Sequence, residues 1–143
     1  MDPLAACHGR HVYLDTNILI YAVEGLPEHA GTIGALFDRI DAGEVRATTS
    51  ELTLAEALAK PLETGRNDIV RLYEDMLSSA GPFAVLPVGR AILLEAAGLR
   101  ARLKLRLPDA IHVATALAAR CEIFLSNDRR IRLPGDLTLL RLA

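Results

Sequence analysis

The chain has 143 residues, 51% of them apolar and 24% charged, with no tryptophan, enough for one globular domain with a real core. A formal net charge of −2 excludes a strongly basic nucleic-acid coat but leaves room for a local basic patch of the kind a phosphate-acting enzyme needs. No apolar run approaches the roughly 20 residues that span a bilayer.

The first ten residues, MDPLAACHGR, show no basic segment followed by an apolar stretch, so no signal peptide is expected. Cys7 and Cys121 are far apart and form no C-x-x-C pair, which reads as reduced thiols in a cytoplasmic protein. Taken in chain order, a short strand is expected over residues 11–14. Helices follow over 18–24, stopping at Gly25, and over 29–42, stopping at Gly43. A strand over 44–49 leads into a helix over 51–60, which runs into Pro61. A helix over 68–79 meets Gly81-Pro82, and a strand over 83–88 follows. Helices over 90–102 and 108–120 precede strands over 122–126 and 137–142. Strands separated by one or two helices predict an α/β fold with a mainly parallel five-stranded sheet covered on both faces. No linker or repeat divides residues 1–143, so a single domain is expected.

Ligands of such sheets bind beyond the carboxyl ends of the strands, and four acids gather in that part of the pattern. Asp15 ends the first strand and Asp128, in LSNDRR, ends the fourth. Glu56 lies in the second turn of the helix leaving the second strand. Asp109, in RLPDAIHVATA, opens the helix leading to the fourth strand, and reaches the same edge only if that helix runs antiparallel to the strands. Each acid has a structural explanation of its own. Asp15 could cap the next helix, Asp109 could sit on the positive end of a helix dipole, and Asp128 could form a turn. Glu56 lies roughly 40° from Leu52 on a helical wheel, at the margin of the apolar stripe. A capping box of Thr48 with Glu51 fits the start of that helix better than one of Thr53 with Glu56.

Together the four are harder to explain, because like charges in one cleft repel and must be desolvated. A divalent cation compensates them. Carboxylate oxygens suit Mg²⁺ or Mn²⁺, and no histidine or cysteine cluster competes for a softer metal. Arg100, Arg102, Lys104 and Arg106 precede Asp109, while Arg129, Arg130 and Arg132 follow Asp128. Such clusters beside acids suit a polyanion held near a metal; the alternative is solvated arginines with stems on apolar surface. His112, one turn after Asp109, could donate to it, but reads first as a satisfied core or boundary residue.

YLDTNILIYA, LTLAEAL, LRLPDAIHVATAL and FLSNDRRI, in this order and spacing, resemble the PIN-domain family, and in particular its VapC-like toxins. The likeness runs from about His11 to the last strand. It implies a three-layer α/β/α sandwich and a metal-dependent ribonuclease, with Asp15, Glu56, Asp109 and Asp128 forming the metal site. Thr16, Asn17, Ser126 and Asn127 would line it. It also implies that Asp109 reaches the common edge, that a small antitoxin enters the acidic cleft, and that the chain forms a homodimer. Relatives often carry glycine near Lys104 or Leu105, so the loop before Asp109 is a departure.

Asp15, Asp109 and Asp128 are thus expected to hold the cation, with Glu56 holding it through water or orienting the attacking water, and Arg129 and Arg130 contacting RNA. Two alternatives stand beside this expectation. One is a PIN-like module that binds RNA or protein without cutting. The other is a haloacid-dehalogenase-type phosphatase, disfavoured because Asn17 replaces the second acid of D-x-D. Apolar helices over 33–40 and 69–77 are expected to offer a dimer face.

Overall fold

The computed structural model describes residues 2–142. Five strands form one sheet: β1 (His11–Leu14), β2 (Arg46–Ser50), β3 (Ala84–Leu86), β4 (Ile123–Leu125) and β5 (Thr138–Leu140). Their order is β3-β2-β1-β4-β5 and every neighbouring pair is parallel. The sheet is therefore wholly, not mainly, parallel. The sequence wanders outward from β1 to β3 and returns to start β4 on the other side of β1. The crevice between β1 and β4 is the point where the strand order reverses.

Six α-helices cover it: α1 (Thr16–Glu24), α2 (Ala30–Asp41), α3 (Leu52–Glu63), α4 (Asn67–Met76), α5 (Arg90–Leu103) and α6 (Leu107–Ala118). Alternation along β1 explains the layering, since successive side chains face opposite ways. Val12 and Leu14 enter one core with Ile18, Leu19, Ile33, Leu36 and Ile40 from α1 and α2. Tyr13 enters the other with Ala96, Leu99, Ala110, Ile111 and Val113 from α5 and α6. The result is the expected three-layer sandwich. No helix among the described residues is long and apolar enough to cross a membrane, and Cys7 and Cys121 are both free and buried.

Several boundaries move for local physical reasons. α1 starts at Thr16 because Asp15 caps it, its Oδ1 accepting the Thr16 N–H at 2.9 Å. α3 continues past Pro61 to Glu63; a proline in the last turn forfeits only one backbone bond, and this ring is buried. The expected Thr48–Glu51 box does not form. Ser50 Oγ instead accepts the Leu52 N–H at 3.0 Å, while Thr48 meets His11 Nε2 at 2.6 Å. α4 stops at Met76, where Ser78 Oγ donates to the Asp75 carbonyl at 2.7 Å. Gly81 then passes so close to the Met76 carbonyl that an added Cβ would lie 2.1 Å from its oxygen. Only glycine fits there.

On α2 the residues expected to offer a dimer face turn inward. Ile33, Leu36 and Ile40 are consumed by the core. The large apolar side chains left in solvent are Leu62 on α3, Leu72 on α4, Leu93 and Leu94 on α5, and Leu107 on α6.

Candidate active site

The edge at which β1 and β4 end carries the acids. β1 places Asp15 where its backbone N–H still bonds the Leu125 carbonyl at 3.0 Å, so the carboxyl sits over the switch point. It is 6% exposed. Its Oδ2 accepts from Ser126 Oγ at 2.6 Å, and its Oδ1 from the Thr16 N–H. Burial pushes the Asp15 carboxyl above its ordinary value; the His112 ring and these two hydrogen bonds oppose the rise, and the Asp109 charge adds to it. Asp15 thus caps a helix and is also an under-compensated carboxylate. The two roles coexist because each oxygen has its own task.

Asn17 and Asn127 tie the two loops around it. Asn17 Nδ2 donates to Ser126 Oγ, and its Oδ1 accepts the Asn127 N–H, both at 3.2 Å. Asn127 Oδ1 accepts the Leu142 N–H at 3.2 Å. These amides spend their bonds on protein, fixing the loop geometry.

Glu56 reaches the same edge from α3 with its side chain 32% exposed. Its Oε1 accepts from Thr16 Oγ1 at 2.8 Å and from His112 Nε2 at 2.5 Å. Burial pushes this carboxyl up, but the bonds from His112 and Thr16 and the charge of Arg106 outweigh it, and the net shift is downward. Behind Thr16 lies a wall of buried hydroxyls. Thr49 donates to the Leu14 carbonyl at 2.8 Å, so Thr53, at 3.0 Å from Thr16 Oγ1 and 3.3 Å from Thr49 Oγ1, must be the donor toward either. No buried side-chain polar atom among the described residues lacks a partner.

His112 on α6 is 1% exposed, as the core reading of it expects, but its bonds differ from those expected. It does not meet Asp109. Its Nε2 faces Glu56, Thr16 Oγ1 at 3.1 Å and Asp15 Oδ1 at 3.9 Å, while its Nδ1 meets Tyr13 Oη at 2.6 Å. Burial pushes the Tyr13 phenol well above its ordinary value, and the Asp15 charge pushes it further.

The remaining two acids lie between Asp15 and Glu56 in exposure. Asp109 and Asp128 have side chains 16% and 19% exposed. Arg106, the residue before α6, bridges them: its Nε lies 3.1 Å from Asp109 Oδ2 and its Nη2 3.8 Å from Asp128 Oδ2. Asp128 Oδ1 also accepts the Arg130 backbone N–H at 2.9 Å, so the turn expected of it forms as well. A cleft of about 190 Å³ opens here, lined by Lys104, Leu105, Arg106, Asp109, Asp128, Arg130 and Arg132. Arg129 is exposed nearby. The loop that departs from the glycine pattern is Lys104 itself, which ends α5 in the left-handed region at φ 57° and ψ 36°.

The chain matches the PIN domain over residues 12–136. It belongs to the PIN-domain family. No curated protein matches it. Among solved structures it is similar to a DNA-bound VapBC from Salmonella typhimurium, with a TM-score of 0.72 at 21% identity, covering 94% of this chain and 99% of that one. A toxin–antitoxin complex from Klebsiella pneumoniae gives 0.65 at 23% identity, with 89% and 95% covered. VapBC2 from Rickettsia felis, bound to a promoter DNA fragment, gives 0.66 at 17% identity, with 92% and 98% covered. These likenesses are of fold. Membership in this family removes the haloacid-dehalogenase alternative, and Asn17, where that motif needs an acid, is committed to loop bonds.

As a PIN-domain edge, the site has the donor type of a hard cation: oxygen ligands, one of them a buried carboxylate short of positive charge. Its oxygens are not gathered into a finished shell. No three His, Cys, Asp or Glu side chains among the described residues are grouped as metal ligands; Arg106 and His112 engage acid oxygens on either side. Sequence reasoning missed Tyr13 and Thr53. The signal for Thr53 and its neighbours was VRATTSELT itself: hydroxyls crowd a strand and helix start that a buried parallel sheet normally fills with Val, Ile or Leu.

Proposed function

We propose that this chain is a Mg²⁺- or Mn²⁺-dependent endoribonuclease acting as the toxin of a toxin–antitoxin pair. It is supported most by two linked pairs of acids at the edge where β1 and β4 end, Asp15 with Glu56 through His112 and Asp109 with Asp128 through Arg106, beside a cleft lined by Lys104, Arg106, Arg130 and Arg132. Asp15, Asp109 and Asp128 would hold the cation, with Glu56 beside them. When bound, the cation makes water a stronger nucleophile and stabilises charge developing at phosphorus. Glu56, held below its ordinary value, is ionised and able to orient that water. Arg106, Arg129, Arg130 and Lys104 hold the RNA phosphates, which position the strand without reading sequence. Attack by water leaves a 5′-phosphate and a 3′-hydroxyl.

The solved complexes named above contain toxins with antitoxins, which supports a small cognate antitoxin as partner. Its tail would compete with RNA for the acidic cleft. The exposed leucines on α3, α4 and α5 are surface for it or for a homodimer.

Incubation of a mixed tRNA and ribosomal RNA pool with protein and Mn²⁺ or Mg²⁺ tests the proposal. Cleavage that requires the metal and is lost in Asp15→Asn supports it. Cleavage that survives EDTA overturns the metal mechanism, and no cleavage from the wild type leaves the non-cutting binding module as the better description.

A further inference from the structure

Tyr13 and His112 lie beneath the cleft, and neither is needed to hold a cation or a phosphate. A carboxylate can only accept, so the His112 nitrogen facing Glu56 at 2.5 Å carries a hydrogen. In its neutral form the ring then offers a lone pair at Nδ1, where Tyr13 Oη sits at 2.6 Å. A phenol is a donor to such a lone pair. The two bonds are directional: Tyr13 O–H to Nδ1, and Nε2–H to Glu56. Packing alone does not require the hydroxyl. The Tyr13 ring stacks on Phe124 with centroids 5.1 Å apart, which phenylalanine would do equally well. Both residues are essentially without solvent contact, at 0% and 1% exposure, and they tie β1, α6 and α3 together at one imidazole ring.

We propose that Tyr13 and His112 are positioning residues: Tyr13 locks His112 in its Nε2–H tautomer, and the locked ring holds the Glu56 carboxylate in register with Asp15. This rests on the nuclease function proposed above for its catalytic consequence, but not for the clamp itself. A metal ligand whose supporting hydrogen bond is removed typically loses 10–100-fold in affinity or activity. The clamp acts on Glu56 and not on the arginine-lined lip, so its loss is expected in kcat with KM nearly unchanged.

Three variants test it. Tyr13→Phe deletes one oxygen and leaves the packing. His112→Leu removes both bonds, and His112→Gln restores a donor toward Glu56. Imidazole nitrogen NMR of ¹⁵N-histidine-labelled, metal-free protein is expected to show His112 as an Nε2–H tautomer with a slowly exchanging proton. In Tyr13→Phe that proton should exchange faster. Calorimetric titration with Mn²⁺ alone should weaken about tenfold in Tyr13→Phe and His112→Leu, and His112→Gln should recover most of it. The kcat for RNA cleavage should follow the same order. An Nδ1–H tautomer in the wild type overturns the clamp. So do Mn²⁺ affinity and kcat in Tyr13→Phe and His112→Leu equal to wild type. If the wild type fails to cut RNA, the nuclease proposal fails, while the tautomer and the Mn²⁺ titration still decide the clamp. Should His112→Leu not fold, the contrast of Tyr13→Phe with wild type carries the same decision.

Discussion

The two sides of the acidic cleft are built on different physics. Asp15 and Glu56 are held by neutral donors: Ser126, Thr16, the Thr16 backbone N–H and His112, most of them fully buried. Asp109 and Asp128 are held by Arg106 and Arg130, whose side chains are 68% and 83% exposed. Neutral, buried bonds keep direction and are insensitive to salt. Exposed guanidinium pairs are individually weak, screened by ions, and easily exchanged for another anion. One side therefore fixes geometry while the other stays free to trade partners; on the proposed function a cation would be held across both sides, and the exchangeable arginines would meet the polyanion.

The largest test of this division is loss of an acid on the rigid side. Asp15→Asn is expected to lower cleavage by more than the roughly 100-fold that marks the upper end for supporting residues, measured as initial rate on tRNA. Activity within tenfold of wild type would break the assignment. On the mobile side, Arg130→Ala and Arg132→Ala should act through binding. Taking one cation away from a single-stranded phosphate backbone is expected to flatten the slope of log KM against log salt by about 0.7, while Tyr13→Phe should leave that slope alone. Equal slopes in all three would erase the contrast between the flanks.

A smaller effect appears in stability. Because burial raises the Asp15 carboxyl in the folded chain, the folded state binds its proton more tightly than the unfolded state does. Stability is then lost as pH rises from about 3.8, the ordinary value, through the raised folded value, and the loss is complete above it. In EDTA at pH 7.5, Asp15→Asn should melt higher, and the gain should shrink as pH falls toward 4. The smallest effect is expected at Lys104, whose left-handed backbone costs a side-chain-bearing residue roughly 1 kcal/mol. Glycine relieves that but adds disorder to the unfolded chain. Lys104→Gly should therefore raise the melting temperature by no more than about 2–4 °C.

The sheet and its helical cover were legible because β1, β4 and α6 are apolar runs closed by glycine, proline or acid. The four acids were legible because each sits at such a closure or, for Glu56, at the margin of an apolar stripe. What the sequence hid were partners distant along the chain. His112 reads first as a core or boundary residue, with a bond to Asp109 as the alternative; a helix directs residues three apart only to the same face, not to the same target. The strand–helix crossing brings it to Glu56, 56 positions away. Tyr13 was hidden differently: a tyrosine in VYL looks like core, and its hydroxyl acquires meaning only once Nδ1 is found beside it. The apolar pattern of α2 misled in the opposite direction, since periodicity marks a buried face without saying whether core or partner covers it.

The strand order also governs when the site comes into being. β1 and α3 leave the ribosome early, carrying Asp15 and Glu56, but the pairing that completes the cleft joins residues 12–14 with residues 123–125. Ser126, Asp128, Asp109 and His112 all arrive in the last third of the chain. Pairings of such long sequence separation form late and slowly. A growing chain therefore has the acids of the rigid flank without the hydroxyl and imidazole that orient them. On the proposed function the chain would be born beside ribosomal RNA, and the strand order completes the site only after most of the chain has left the tunnel.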